Sequence, residues 1–401
     1  MAAPASVAAP ITVIAVLMVF TMSTDLYLPT FPELTGALST TPSIVQLTLT
    51  LNLVAYALAT LVHGLLADRF GRQRVLSAGL MTFLAASLVC MSAPTISWLL
   101  AGRVGQGLAA STGTVLTALI LRELFDDERA QRWLSVMAIA VGFGPAVAPL
   151  VGAVVAQNFG WRANFGLLAT LAGIGFLAVL RFVPETRPRG QAVPAAGTVV
   201  RRYTTVFKNG LFQRYQLLNA LSLAALFAFV TAAPFVFIGT FGLSPTRYAM
   251  LHGALVMLYI VAAIANGVLA GRVEPIRMIR LALVMGSVGI GTLIVGAVLF
   301  DPSLVTVLLG MAFCAVAMGL LMANAWLLLL NSVAPNERAT ASALSSFSQM
   351  LIAALASLAV AMLPAGSLWA MSLVVSLCLA GCLCAYAFLG RGSSLRTSPR
   401  S

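Results

Sequence analysis

The chain has 401 residues, of which 60% are hydrophobic and 8% charged, with a formal net charge of +12. A soluble domain carries roughly a quarter charged residues, so a soluble globular protein is excluded. The basic balance would suit a nucleic-acid partner, but its distribution along the chain removes that reading.

Runs of about 20 apolar residues recur from one end to the other, each able to cross a ~30 Å hydrocarbon core as a helix. Twelve spans are predicted, over 10–30, 43–66, 75–92, 96–121, 133–156, 164–183, 214–240, 247–270, 277–299, 303–331, 339–362 and 366–389. With the N-terminus inside, all but three of the 23 Lys and Arg fall in cytoplasmic segments, the exceptions being Arg103, Arg162 and Arg247. That asymmetry sets orientation, with both termini cytoplasmic, and no nucleic-acid partner is implied. The expected fold class is therefore an all-α polytopic membrane protein. The opening "MAAPASVAAP" lacks the basic region of a cleaved signal peptide.

The first span ends in "TDLYLPTFPEL", residues 24–34, which places Asp25 inside an otherwise uncharged run and follows it with Pro29 and Pro32. At 1.5 Å per residue from Pro10, Asp25 sits at ~22 Å of the ~30 Å core. Every other acid (Glu33, Asp68, Glu123, Asp126, Asp127, Glu128, Glu185, Glu274, Asp301 and Glu337) falls in a loop or at a span end. Asp25 is thus the sole candidate for a carboxylate that takes up a proton within the membrane. Between spans 2 and 3, "GLLADRFGRQR" (64–74) is a short hairpin with Gly64 and Gly71 where helices turn, and Asp68 beside Arg69 and Arg72. Span 4 opens "WLLAGRVGQG", with Arg103 at ~12 Å depth, too deep for easy snorkelling and close to the level of Asp25. Span 5, "AVGFGPAVAPLVGAVV", carries Gly142, Gly144, Pro145, Pro149 and Gly152, a pattern for kinking and close packing.

The longest polar interruption, residues 184–214, divides the chain into a first six-helix half (1–183), a cytoplasmic linker (184–213), a second half (214–390) and a basic tail (391–401) expected to be disordered. Within the linker, Arg201, Arg202, Tyr203 and Val206 suit either a short helix on the inner leaflet or a solvated basic segment. Of the five cysteines, Cys90 and Cys314 lie in separate spans and Cys378, Cys382 and Cys384 share the last, which suits packing rather than disulfides or zinc.

Polar rows mark candidate cavity walls: Thr48, Asn52, Tyr56 and His63 on span 2, Tyr248, His252, Tyr259 and Asn266 on span 8, and Ser342, Ser345 and Gln349 on span 11. Such rows line a wet cavity or bond helix to helix. Tyr27 beside Asp25 joins the cavity candidates. His63, at the inner boundary, suits an interface anchor, and His252 is the one credible second proton site. Phe227, Phe229, Phe235, Phe237 and Trp326 could supply an apolar wall, face lipid or pack between helices.

These motifs carry a resemblance. Residues 64–74 resemble the loop 2–3 signature G-x-x-x-D-R-x-G-R-x-R of the major facilitator superfamily. Arg103, Gln106 and Gly107 resemble its R-x-x-Q-G proton-transfer motif, and span 5 is similar to the antiporter motif of its drug/proton exporters, with Pro149 where many members carry glycine. "TDLYLPTFPEL", "ILRELF" (120–125), "PET" (184–186) and "ERATASAL" (337–344) resemble the Bcr/CflA branch of bacterial drug exporters, with Glu123 where aspartate is usual. The resemblance implies two six-helix halves around a central cavity, a hairpin that latches the halves in the outward-facing state, and a multi-pass place in the inner membrane. It implies no cofactor beyond protons as coupling ion, an amphipathic small-molecule substrate, lipid contact and a monomer. The implied activity is proton-driven efflux of drugs of the chloramphenicol or bicyclomycin kind by alternating access. One membrane carboxylate implies about one proton per substrate, and Leu17 stands where some relatives have a second acid, so a divalent cation is a poor substrate. A static Asp25–Arg103 pair is the bland alternative. A dedicated exporter of a metabolite such as a nucleoside or metallophore is the second functional reading, and a proton-coupled importer is disfavoured by span 5. No nucleophile–base pair, facing aspartates or H-E-x-x-H motif supports an intramembrane enzyme.

Overall fold

The computed structural model describes residues 7–187, 196–298 and 303–388, without the side chains of 196–200, 297–298 and 388. Asp301 and the basic tail lie outside the described residues. The twelve expected spans form twelve long apolar helical segments. The first is α1 (Ala8–Asp25) continued by α2 (Phe31–Ala37). The next five are α3 (Pro42–Phe70), α4 (Arg72–Met91), α5 (Ile96–Leu124), α6 (Asp127–Phe159) and α7 (Arg162–Phe182). After the linker helix α8 (Ala196–Phe207) come α9 (Gly210–Pro234), α10 (Pro245–Leu269), α11 (Pro275–Val298), α12 (Leu304–Asn331), α13 (Arg338–Ala361) and α14 (Leu368–Phe388).

The boundaries follow from local chemistry. Pro42, Pro245 and Pro275 open their helices, where the missing N–H costs nothing. Asp126 caps α6 by accepting from the Arg129 N–H at 2.9 Å, and Asn209 caps α9. Gly71, at φ +102°, makes the one-residue turn from α3 into α4. The first span differs from the continuous 10–30 expected of it. Its helix stops at Asp25, passes through a 3-10 turn at Leu28–Thr30 and resumes as α2. The cause is Pro29, which has no N–H to give and disfavours the helical backbone of its predecessor. A second departure ends α9, where Phe235–Thr240 winds as a π-helix after Pro234.

The linker winds into a helix over Ala196–Phe207. It touches the membrane bundle through Val206, buried against Phe212, Leu329, Val333 and Ala341. The cysteines are free thiols among the described residues, Cys384 exposed and the others buried.

The bundle has two ends: a terminal end, where α1 begins and the α3–α4 hairpin lies, and a distal end, where α1 breaks. At the distal end the halves are stitched together. Gln46 of α3 donates to the Thr231 carbonyl of α9 at 3.1 Å, and Thr50 and Ser357 of α13 share a hydroxyl bond of 2.7 Å. Thr231 also donates to Ser357 at 2.9 Å, and the rings of Phe31 and Phe235 lie 6.0 Å apart. Gly253 of α10 has no side chain to keep it from the Ala146 carbonyl of α6. At the terminal end the hairpin spends its bonds within its own half and on the start of the linker. Arg72, 2% exposed, pairs with Asp68 at 3.1 Å and Glu123 at 2.9 Å, and its N–H donates to Glu185 at 2.7 Å. Arg187 reaches back to the Arg69 carbonyl at 2.8 Å. The molecule is shut distally, and no described hydrogen bond joins the halves at the terminal end.

Candidate proton and substrate coupling site

The site begins where α1 breaks. Asp25 is its last helical residue, 7% exposed. The α6 helix fixes the break. A side chain at Gly152 would overlap the Leu26 carbonyl, and one at Gly144 would come within 3.1 Å of the Thr21 hydroxyl. Pro145 and Pro149 lie inside the same 33-residue helix. The sequence motif marks α6 as kinked and tightly packed; the structure adds what it packs on, namely the segment carrying Asp25. Gly142 is loosely seated near Ile260 of the other half.

Arg103 lies beside this break but is not paired with Asp25. No ion pair to Asp25 is found among the described residues. The Arg103 side chain is fully buried, and its Nη1 donates to the Ser23 carbonyl at 3.1 Å and to Gln106 Oε1 at 2.6 Å. Its guanidinium stacks 4.3 Å above the Tyr27 ring. Gln106 passes the chain on to the Ser87 hydroxyl at 2.8 Å, so α1, α4 and α5 are tied through one arginine. The static Asp25–Arg103 pair is therefore not formed in this state. Both groups still lie within electrostatic reach of one another. Arg103 Nε and Nη2 have no partner, a costly arrangement for a buried cation that marks the group as one with another bond to make.

The polar rows divide between the two roles open to them. Asn52, a cavity candidate, is 4% exposed and donates to the Arg103 carbonyl at 2.9 Å, and a side chain at Gly107 would overlap the Asn52 carbonyl. Asn52 therefore binds α3 to α5 and does not line open space. Tyr27 is fully buried with its hydroxyl on Thr48 at 2.9 Å, so it too is removed from the cavity wall in this state. Tyr56 is half-buried and donates to the exposed Thr114 of α5 at 2.6 Å. Tyr259 and Gln349 are half-buried, with Gln349 donating to Ser345 at 3.2 Å. His63 is half-buried and bonds Ser111 of α5 at 2.6 Å. Asn266 pairs with Asn324 at 2.7 Å. Gly64, with nothing near it, has no packing role.

His252 and Tyr248, on α10 of the second half, are 2% and 0% exposed. Their rings lie 5.9 Å apart inside a cage of Phe229 and Phe237. Phe229, Phe235 and Phe237 are thereby interior packing, while Phe227 and Trp326 remain half-buried.

Two six-helix halves hydrogen-bonded to each other at one end, with buried unpaired polar groups at that junction, have the form of a carrier. The chain belongs to the Major Facilitator Superfamily, whose model matches residues 13–357. Among curated relatives, an uncharacterized MFS-type transporter, YdgK of Bacillus subtilis, is 29% identical over 84% of each chain. A bicyclomycin resistance protein homolog of Haemophilus influenzae is 27% identical over 72% of this chain and 73% of its own. The multidrug resistance protein MdtL of Escherichia coli is 31% identical over 59% of this chain and 60% of its own. The names of the last two agree with the Bcr/CflA resemblance. Solved structures share the fold at low identity. A D-xylose–proton symporter superposes with a TM-score of 0.77 at 18% identity, covering 96% of this chain and 99% of its own. A bacterial homolog of the human lysosomal transporter Spinster, inward-facing and occupied, gives 0.76 at 16% identity, covering 95% of each chain. The protein is a multi-pass membrane transporter.

Proposed function

We propose that this transporter exports amphipathic drugs from the cytoplasm in exchange for protons, with Asp25 as the group that carries the proton. The observation that carries the reading is Asp25 itself. It is a membrane carboxylate with no ion-pair partner, set at the break of α1 and backed by the glycines of α6. Loss of water favours the neutral carboxyl and a guanidinium nearby favours the ionised one, so alternating access that changes either contact drives proton uptake on one side and release on the other. The Lys and Arg distribution supports a cytoplasmic terminal end, so a state bonded shut at the distal end is the one suited to load drug from the cytoplasm. Loop 2–3 then acts as the latch of the opposite state. In the present one its residues Asp68, Arg69, Gly71 and Arg72 are held within the first half and by the start of the linker.

One carboxylate supports one proton per drug. A monocation then moves electroneutrally, while a neutral drug carries one net charge and gains ~2.3 kcal/mol per 100 mV. The test is a drug panel in an efflux-deficient host with everted-vesicle transport. Asp25→Asn is expected to cut pH-gradient-driven efflux at least tenfold while the protein still reaches the membrane. Undiminished gradient-driven transport by that variant sinks the assignment. Equal sensitivity to every drug with and without the protein moves the reading to a dedicated metabolite exporter.

A further inference from the structure

The polar groups of the distal junction do not all have partners. Tyr248 is completely buried and its hydroxyl bonds nothing; His252, one turn further along α10, is 2% exposed and its Nδ1 bonds nothing. An aromatic cage encloses both. Phe229 stacks on the imidazole at 6.0 Å with planes 9° apart, and Phe237 lies 6.0 Å from the Tyr248 ring. The α10 helix packs on α6 and on the 3-10 turn that follows Asp25. Across that junction no hydrogen bond or ion pair to the Asp25 carboxylate is found among the described residues, and it lies within electrostatic reach of Tyr248. A donor without an acceptor and an acceptor without a donor thus face one junction from opposite halves. Buried polar groups are rarely left so unless another state of the molecule uses them.

We propose that Tyr248 is the positioning residue of the second half for the proton site, its hydroxyl donating to the Asp25 carboxylate once that carboxylate is ionised, with His252 behind it in the same cage. This rests on Asp25 as the proton carrier. The other titratable or charged groups facing Asp25 are Arg103 from α5 and Tyr27 from the turn. Arg103, a charged group of the same half, spends its Nη1 on Ser23 and Gln106 and keeps Nε and Nη2 unpaired, and Tyr27 spends its hydroxyl on Thr48. Neither α6 nor α9 offers a titratable side chain at the junction, leaving Tyr248 as the neutral donor from the opposite half.

The bond has a consequence for coupling. After the proton leaves to the terminal side, an ionised, drug-free Asp25 holds the first half to the second at the distal junction. The empty transporter then cannot return to the distal-open state, and protons do not leak without drug. Drug arriving at the site, or a new proton on Asp25, releases the tie.

The test needs no drug. In pH-difference infrared spectra of the purified full chain, the protonated-carboxyl C=O band that disappears in Asp25→Asn reports this residue alone. In Tyr248→Phe, which keeps the ring and removes only the donor, the midpoint of that band moves to higher pH by about one unit, because the ionised form has lost a donor. With 3-fluorotyrosine at position 248, a near-isosteric and stronger donor, the midpoint moves the opposite way. Phe237→Leu, which disturbs the cage but no donor, leaves it in place. A midpoint unmoved in Tyr248→Phe, or moved equally by Phe237→Leu, overturns the proposal while Asp25 stands as the proton site. A band that survives in Asp25→Asn overturns both.

Discussion

At the scale of single residues, the distinction that matters is between a charge and a charge with a fixed geometry. Arg103 uses one nitrogen for two acceptors and its flat face for Tyr27. A lysine has the charge but neither the plane nor the fork. Arg103→Lys is therefore expected to lose at least tenfold in drug efflux with normal membrane insertion, measured as susceptibility beside immunoblotting. Both membrane charges are legible in the sequence, because each is costly there and each is named by depth alone. Their relation is not legible. Equal depth predicts neighbours, yet Arg103 turns to a backbone carbonyl, Gln106 and an aromatic ring, and which partner wins depends on packing between helices far apart in the chain. The rows on α3 and α10 are limited in the same way. A helical period says that Asn52 and Tyr56 share a face, but not that α5 lies close enough to Asn52 to claim its amide.

At the scale of elements, the long α6 helix and the α3–α4 hairpin show how small residues set large geometry. Gly152→Val forces a side chain into the Leu26 carbonyl, so α1 and α6 must separate where Asp25 sits. Transport is expected to vanish while the melting temperature in detergent, followed by tryptophan fluorescence, falls by a few degrees only. Gly71→Ala acts differently. The residue stands at φ +102° with Glu185 against it, and a side chain there is strained by about 1–3 kcal/mol before the clash is counted. Here the prediction is a loss of thermal stability in the same assay. Glu123→Gln weakens the acceptor side of Arg72, which is 2% exposed and would keep its charge among fewer partners. A cost of about 1.5–3 kcal/mol is expected, less if Asp68 moves in. The three sequence segments "GRQR", "ILRELF" and "PET" are each recognisable on their own. That Glu123 and Glu185 converge on Arg72, with the Thr186 hydroxyl donating to Glu123, needs the ends of α4, α5 and α7 to meet, which hydropathy cannot report.

For the whole molecule, the twelve spans were open to reading from hydropathy because a bilayer imposes a fixed length on every crossing. The exceptions are the places where the backbone leaves the regular helix, at Asp25–Thr30 and Phe235–Thr240, and both end beside the distal junction. That junction makes a direct prediction for the cycle. The double variant Thr50→Cys, Ser357→Cys replaces two hydroxyls 2.7 Å apart. It is expected to form a disulfide under mild oxidation, stop efflux and regain it on reduction. Efflux unaffected by complete cross-linking would show that the distal end need not open.

The stitching between the halves at that end consists of an amide, three hydroxyls and aromatic faces, with no ion pair among its described contacts. Neutral bonds are not screened by dissolved ions and do not titrate at ordinary pH. These neutral bonds should hold equally well in brackish, dilute or acidic surroundings. An organism carrying this protein would then meet changing media without these bonds loosening.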